Sequence, residues 1–268
     1  MPDSRSHTYK ARGLVVHKRP LGESDLIVSL FLEDGTKLDA VAKGARKPQS
    51  QLSARLEVLS EVEAHLAQGR SLDVVREARL LESNEVIRQN FDKQAYAAVI
   101  AEALYKTIRP EIPLPHAFDM TRVALGALRK SSASFACAIG AAHLLKLVAY
   151  LGVRPNLSTC VSCGAPVPLD NPLAVVHVSV SDGGLVCANC NAHLDTVSMN
   201  ANSLGWARFL LQATFAQIIE TPVPAGIDSQ TLQFAHLWLK AHMGVSLKSV
   251  GFALAYAEMG RGTDAIRP

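Results

Sequence analysis

The sequence predicts a two-part architecture, in which a small β-barrel is followed by an α-helical domain with a cysteine-rich insert. Three observations lead to this prediction. Short apolar runs bounded by turn residues fill the first 80 positions. After residue 81 the apolar residues recur every three or four positions, as on the buried face of a helix. Two Cys-x-x-Cys pairs then lie in a segment rich in Pro and Gly. We place the barrel in residues 1–82, the helical domain in 83–268 and the insert at about 156–200.

The barrel is predicted from five strands, which we place at residues 9–19, 25–32, 37–43, 56–66 and 71–80. Asp34-Gly35 is a hairpin signal between the second and third strands, because glycine adopts a positive φ without steric cost. The third strand (KLDAVAK) alternates polar and apolar residues, which is typical of a half-buried strand. Five strands match the count of an OB-fold, a barrel that binds single-stranded nucleic acid or sugars. The count alone does not distinguish an OB-fold from an SH3-like barrel.

The helical domain is predicted to contain helices at residues 93–108, 116–130, 133–151, 203–219, 232–242 and 247–259. The third of these is apolar and long enough to approach a membrane span. His143 and Lys146 lie near its middle, so we expect a buried core helix rather than a span. The first seven residues contain no apolar signal core, and we therefore expect a soluble cytoplasmic protein.

Composition and motif content argue against several classes of protein. Hydrophobic residues make up 49% and charged residues 19% of the chain, which disfavours intrinsic disorder. Five cysteines in 268 residues are too few for a disulfide-dense secreted scaffold. The sequence lacks a P-loop, an H-E-x-x-H or G-x-S-x-G motif, and the H-x-E of zinc nucleobase deaminases. We find no catalytic constellation and expect that the protein is not an enzyme.

Four cysteines form the strongest chemical signal, a paired Cys-x-x-Cys arrangement with 23 intervening residues, made by Cys160, Cys163, Cys187 and Cys190. Two such turns can surround one tetrahedral Zn²⁺, although the usual separation is slightly shorter. A shell of four sulfurs leaves no open position, so we predict a structural site. Alternation over residues 174–180 and a turn at Gly183-Gly184 predict the hairpin of a zinc ribbon. Redox thiols, unused cysteines and a ligand role for His193 are the alternatives.

A cluster of cations follows the third predicted strand. Residues 40–55 contain Lys43, Arg46, Lys47 and Arg55 and no acidic residue. Gly44 would let the backbone approach a polyanion, and the flanking cations would neutralise phosphates and release counterions. Lys18 and Arg19, at the end of the first strand, are secondary candidates. An ordinary solvated loop explains the same pattern equally well.

The motifs together resemble the RecO family of bacterial recombination mediators. In the first part they are residues 13–20 (GLVVHKRP), 22–25 (GESD) and 41–47 (VAKGARK). In the second part they are residues 151–155 (LGVRP), 160–164 (CVSCG), 183–190 (GGLVCANC) and 244–249 (GVSLKS). Each motif is modest alone, but their order and spacing hold across essentially the whole chain.

The resemblance implies an N-terminal OB-fold, a helical domain with a zinc ribbon, and a role in DNA repair without enzymatic activity. Such proteins bind single- and double-stranded DNA and anneal complementary strands without ATP. With RecR they help to load RecA onto gaps coated by single-stranded-DNA-binding protein. The four cysteines match the family's zinc positions, and Lys43, Arg46 and Lys47 match its basic loop. No membrane partner is implied, and the expected location is the cytoplasm, at the nucleoid.

One departure from the family concerns residues 48–52 (PQSQL), where family members often have a further Lys or Arg. We therefore expect the helical domain to contribute to DNA binding through Arg129, Lys130 and Lys146. Two other functions remain open at this point. One is a zinc-ribbon adaptor that binds only protein, and the other is a zinc-dependent RNA-processing or transcription accessory factor.

Overall fold

A computed structural model of the chain describes residues 7–222 and 226–264, with side chains to residue 257. The first part contains strands β1 (Thr8–Leu21), β2 (Asp25–Leu32), β3 (Lys37–Ala42), β4 (Glu61–Ala67) and β5 (Asp73–Glu82), with helix α1 (Gln51–Arg55) before β4. The strands close into a barrel in the order β1-β2-β3-β5-β4. β3 and β5 pair in parallel, whereas the other pairs are antiparallel. This topology is the OB-fold, which the strand count alone could not distinguish from an SH3-like barrel.

The barrel core follows from the two-residue period of its strands. Val62, Ala64 and Leu66 alternate along β4 and are fully buried in the barrel interior. β2 is buried on both faces, because Phe31 on its outer face packs edge-on against Phe118, with ring centroids 5.6 Å apart. A strand that is covered on both sides has a continuous apolar sequence, and β2 (DLIVSLFL) is such a strand.

The predicted hairpin turn between β2 and β3 is present. Gly35 has a φ of +85°, and the Thr36 amide donates to the Asp34 carboxylate at 2.9 Å. Gly35 is needed for a second reason, since a Cβ atom there would lie 2.1 Å from the carbonyl carbon of Leu114. The chain after the barrel therefore passes directly over this turn.

Several strand boundaries differ from the prediction, by one or two residues in β1, β3 and β5 and by five at the start of β4. β1 continues through Pro20 to Leu21, where Pro20 lies opposite Leu26 at the end of the ladder. The prediction that the fourth strand begins at residue 56 is wrong, because β4 begins at Glu61. Leu59, in the intervening turn, has a φ of +75° and donates its amide to the Val15 carbonyl at 2.8 Å.

The second part contains, within the described residues, helices α2 (Glu85–Gln89), α3 (Phe91–Thr107), α4 (Pro115–Lys130), α5 (Ala136–Tyr150), α6 (Ala201–Gln212), α7 (Phe215–Glu220), α8 (Ile227–Met243) and α9 (Lys248–Asp264). The single helix predicted over 203–219 is wrong, because Thr214 interrupts it. Its hydroxyl accepts the Gln217 amide, and the Gln217 side chain accepts the Thr214 amide, so a capping box starts α7 there.

Helix α5 is the core helix of the second part. The stretch Ala133–Tyr150 has a mean hydropathy of 1.5 and is, among the described residues, the one helix long and apolar enough to cross a membrane. It is 67% buried inside the protein, as expected for a core helix. His143 on this helix is fully buried, and burial lowers its pKa to about 3. It therefore stays neutral at neutral pH.

The cysteine-rich insert folds around a three-stranded sheet. Its strands are β6 (Val175–Ser179), β7 (Gly184–Val186) and β8 (Val197–Asn200), in the order β7-β6-β8. The predicted hairpin is therefore confirmed as the antiparallel pair of β6 and β7. The edge strand β8 was not predicted, and it leads directly into α6.

The chain divides into two compact units, one of residues 1–89 and 101–122 and the other of residues 90–100 and 123–268. The division into domains at residues 82 and 83 stays a prediction.

Candidate metal centre and nucleic-acid interface

The two Cys-x-x-Cys segments form two tight turns. In the first turn the Gly164 amide donates to the Cys160 carbonyl at 2.9 Å, and Gly164 adopts the positive φ that this reversal requires, +74°. In the second turn the Cys190 amide donates to the Cys187 carbonyl at 3.0 Å. The Val161 amide also bonds the Leu185 carbonyl at 2.9 Å, which holds the first turn against β7.

These turns bring the four cysteine sulfurs together within 4.8 Å of one another. The Sγ atoms of Cys163 and Cys187 are 3.7 Å apart. A tetrahedral zinc site with Zn–S bonds of about 2.3 Å requires sulfurs about 3.8 Å apart, so the donor set fits such an ion. A disulfide requires roughly 2.05 Å, and all five cysteines are free thiols. The cluster could therefore hold a metal ion such as zinc.

Hydrogen bonding differs among the four thiols. Backbone amides of Cys187 and Cys163 point at the Cys160 sulfur and lower the pKa of Cys160 to about 6. The Ser162 hydroxyl lowers the pKa of Cys190, but bonds with the sulfurs of Cys187 and Cys163 outweigh it and raise that pKa to about 11. Backbone amides that stabilise a thiolate are also suited to a metal-bound sulfur.

The remaining cysteine and the alternative histidine lie outside this cluster. His193 ends an exposed 3₁₀ turn after Cys190 and is not among the clustered ligands of the described chain. The histidine alternative is therefore not supported. Cys137 is buried in α5, as expected for a small apolar side chain, and burial raises the pKa of its thiol.

The cations after β3 lie on an anchored turn of the barrel. The Gly44 amide donates to the Asp25 carboxylate at 2.7 Å, and the Arg46 amide donates to the Ser24 carbonyl at 2.9 Å. Ala45, between them, is fully buried in the barrel core. The turn therefore cannot move freely, and it leaves a set of exposed cations, Lys43, Arg46 and Lys47, at the surface.

The carboxylate of Asp25 partly offsets the positive charge of this turn. The Gly44 amide lowers the pKa of Asp25, and the Ser24 hydroxyl and the charges of Lys43 and Lys47 add to the effect. The carboxylate is therefore ionised at neutral pH and faces the turn that it holds. Arg46 also donates through its guanidinium to the Gly22 carbonyl at 2.9 Å, which leaves the two lysines as the cations with the greatest freedom to meet a ligand.

The secondary candidates differ in their availability. Lys18 forms an ion pair with Glu57 at 2.6 Å, which offsets its charge. Arg19 is exposed near the end of β1. Arg55 donates to the Ala78 carbonyl and the Gln51 side chain, both at 3.0 Å, so its guanidinium ties α1 to β5. The structure therefore places Arg19 with the exposed cations and gives Lys18 and Arg55 partners within the protein.

One further exposed cation, on β5, was not predicted from the sequence. The parallel ladder ends where Ala42 pairs with Val75, and Lys43 and Arg76 are the residues that follow this last pair on the two sides of the ladder. Arg76 is exposed. Its local sequence gives no sign of this position, because the pairing joins strands about 30 residues apart in the chain.

The cations expected in the helical domain are not equivalent. Lys130 is exposed at the end of α4, and the adjacent Arg129 carbonyl accepts a bond from Lys93 at 3.3 Å. Lys146 is less available for phosphate than expected. Its ammonium donates to the Leu211 carbonyl at 3.2 Å, and burial, aided by Arg154, lowers its pKa.

Comparison with known proteins gives matches over both parts of the chain. The model of Recombination protein O N terminal matches residues 6–84, and the model of Recombination protein O C terminal matches residues 88–250. The DNA repair protein RecO of Desulfitobacterium hafniense is 32% identical over 245 residues, which cover 90% of this chain and 87% of the relative. The DNA repair protein RecO of Bifidobacterium adolescentis is 30% identical over 244 residues, covering 90% and 97%.

Proposed function

The chain belongs to the RecO family, and from this premise we propose that it acts in DNA repair as a recombination mediator that binds DNA and has no enzymatic step of its own. The anchored turn of the OB-fold barrel is the observation that carries the proposal. It presents Lys43, Arg46 and Lys47 to solvent on a backbone fixed at both Gly44 and Arg46. A fixed row of cations is suited to the phosphates of a nucleic acid, because few conformations are lost on binding.

Binding at the barrel is proposed to depend on the backbone of DNA rather than on its bases. The aromatic side chains of the strands offer little surface for stacking, because Phe31 is fully buried and Tyr9 is bonded to Asp73. Single- and double-stranded DNA should therefore both bind, with weak sequence preference and strong dependence on salt.

Strand annealing follows if the protein neutralises two strands at once, one on the barrel and one on the helical domain. Coulomb repulsion between the strands then falls, and base pairing supplies the driving free energy without ATP. Lys130 and Arg129 at the end of α4 are the first candidates in the helical domain. If Arg129→Ala/Lys130→Ala left both the affinity for DNA and its salt dependence unchanged, this assignment would fail.

We further propose that Cys160, Cys163, Cys187 and Cys190 hold a structural Zn²⁺. When bound, the ion would cross-link the two turns and, with four sulfur ligands, would leave no position for a substrate. The four thiols lie where the first turn meets the β6–β7 hairpin, in a segment rich in Pro and Gly. Their role is therefore to order the insert rather than to take part in a reaction.

The family supplies the proposed partners. They are RecR, single-stranded-DNA-binding protein and, indirectly, RecA, which the protein would help to load at gaps in the cytoplasm, at the nucleoid. Charge reversal in Lys43→Glu/Arg46→Glu/Lys47→Glu tests the DNA-binding step on which these roles depend. We expect annealing to be lost while the circular dichroism spectrum and melting temperature are kept. Annealing at the wild-type rate in low salt would contradict the proposal.

A further inference from the structure

A small cleft in the second unit lies beside the start of the insert and carries two arginines. Its volume is about 230 Å³, and Arg154 and Arg208 both line it. Arg154 follows α5, and Arg208 projects from α6. Elements distant in sequence therefore bring both arginines to one cavity.

Neither guanidinium has a counter-ion among the residues that the structure describes. In the part of the chain that the structure describes, Arg154 and Arg208 make no ion pair and no hydrogen bond, and no acidic residue lines the cleft. Lys146 adds a third cation nearby. It donates to the carbonyl of Leu211, a lining residue, and the charge of Arg154 helps to lower its pKa. Like charges gathered without an acid repel one another, and an anion in the cleft would relieve that repulsion.

The other polar groups of the cleft are suited to an anion as well. Ser158 and Gln212 are exposed lining residues whose side chains can donate hydrogen bonds. Asn156 could oppose an anion with its carbonyl oxygen, but that oxygen already accepts the amides of Ser158 and Thr159 at 3.1 and 3.2 Å. The cleft therefore offers mainly donors.

The wall of the cleft is fixed by the fold. The Asn156 amide donates to the Gly183 carbonyl at 3.0 Å, and the Leu185 amide donates to the Asn156 carbonyl at 2.9 Å. Trp238 anchors the residue before Arg154, since its indole donates to the Val153 carbonyl at 2.7 Å. The backbone on both sides of Arg154 is therefore fixed before an ion enters the cleft.

We propose that this cleft binds a phosphate of the nucleic-acid backbone and so provides a contact for the second strand on the helical domain. The inference rests on the proposed function and names a site for it. A guanidinium pair suits the bidentate recognition of phosphate oxygens. An acidic peptide would need an apolar anchor as well, and the apolar lining is recessed, since Leu157 is 3% and Leu211 8% exposed. The chemistry therefore favours a phosphodiester over a peptide.

The test measures binding of a fluorescent single-stranded oligonucleotide by anisotropy between 50 and 200 mM NaCl. Log affinity falls with log salt, and two lost phosphate contacts in Arg154→Ala/Arg208→Ala should make this slope less steep by about 1.4. Between 50 and 200 mM NaCl the variant should therefore lose about 7-fold less affinity than wild type does. Annealing of complementary strands should slow in the same variant. Lys240→Ala/Lys248→Ala removes the same charge from exposed positions of the second unit and should change the slope less. Arg154→Lys/Arg208→Lys keeps the charge and should restore much of the slope.

The outcomes separate this inference from the proposed function. If wild-type protein bound no oligonucleotide at low salt, the proposed function would fail and the cleft with it. If wild type bound DNA but Arg154→Ala/Arg208→Ala had the wild-type slope and annealing rate with an unchanged melting temperature, the cleft alone would be refuted. Loss of affinity for a labelled acidic peptide, with DNA binding unchanged, would make the cleft a peptide site and would also overturn the inference.

Discussion

Removal of two lysines from the barrel turn should change the salt dependence of DNA binding by a predictable amount. Lys43 and Lys47 are both exposed, whereas Arg46 also fixes the turn by bonding Gly22 and Ser24. The variant Lys43→Ala/Lys47→Ala therefore removes charge and leaves the anchor in place. Log affinity falls with log salt, and each lost phosphate contact makes this slope less steep by about 0.7 for single strands. Loss of the pair should therefore make it less steep by about 1.4.

Fluorescence anisotropy with one single-stranded oligonucleotide at 50 and 200 mM NaCl measures this slope. A fourfold change in salt then separates the variant from wild type by a factor of about 7 in relative affinity. Lys10→Ala/Arg79→Ala is a matched control, because both cations already pair with Glu63, each at 3.5 Å. An equal fall in slope for the control, or no fall for Lys43→Ala/Lys47→Ala, would refute the assignment of phosphate contacts to this turn.

The remaining predictions concern the metal, the buried histidine and the barrel turn. Purified wild-type protein should contain about one zinc per chain by elemental analysis, and Cys163→Ser/Cys190→Ser should lose it; equal zinc in both would contradict the assignment. His143 has its pKa lowered to about 3, so the unfolded chain takes up a proton below pH 6.5 that the folded chain does not. Between pH 7.5 and 5 the free energy of unfolding should therefore fall by about 2 kcal/mol more in wild type than in His143→Leu, measured by urea titration; parallel pH profiles would exclude this origin. Gly35→Ala should lower the melting temperature of the protein strongly, because a Cβ would meet the backbone of Leu114 at 2.1 Å and the φ is +85°. A melting temperature equal to wild type would show that the turn can relax.

Local signals in the sequence predicted most of the barrel and the helices. Asp34-Gly35 located the hairpin, and two-residue alternation located the third strand, because both signals arise from neighbouring residues. The fourth strand was placed too early, because Leu56 and Leu59 are apolar but lie in the turn that covers the barrel. Helix α7 was merged with α6, because the apolar period continues through Thr214 although the backbone there is extended.

The candidate sites also differ in whether they depend on neighbouring residues or on residues distant in the chain. Cys-x-x-Cys spacing predicted the sulfur cluster, since each turn is local and the hairpin between the turns was visible in the sequence. The position of Arg76 and the common cleft of Arg154 and Arg208 were not predictable, because each depends on elements distant in the chain. Lys146 was proposed to bind phosphate because it is a lysine, and the sequence gives no sign that its ammonium bonds the Leu211 carbonyl.

The most direct test of the central claim is an annealing assay with purified, zinc-loaded protein. Complementary fluorescent strands, coated with single-stranded-DNA-binding protein, are mixed with the protein in the absence of ATP. We expect rapid annealing that slows as salt is raised and that is lost on charge reversal at Lys43, Arg46 and Lys47. Folded, zinc-loaded protein that neither annealed the strands nor bound DNA at low salt would contradict the account and would favour an adaptor that binds only protein.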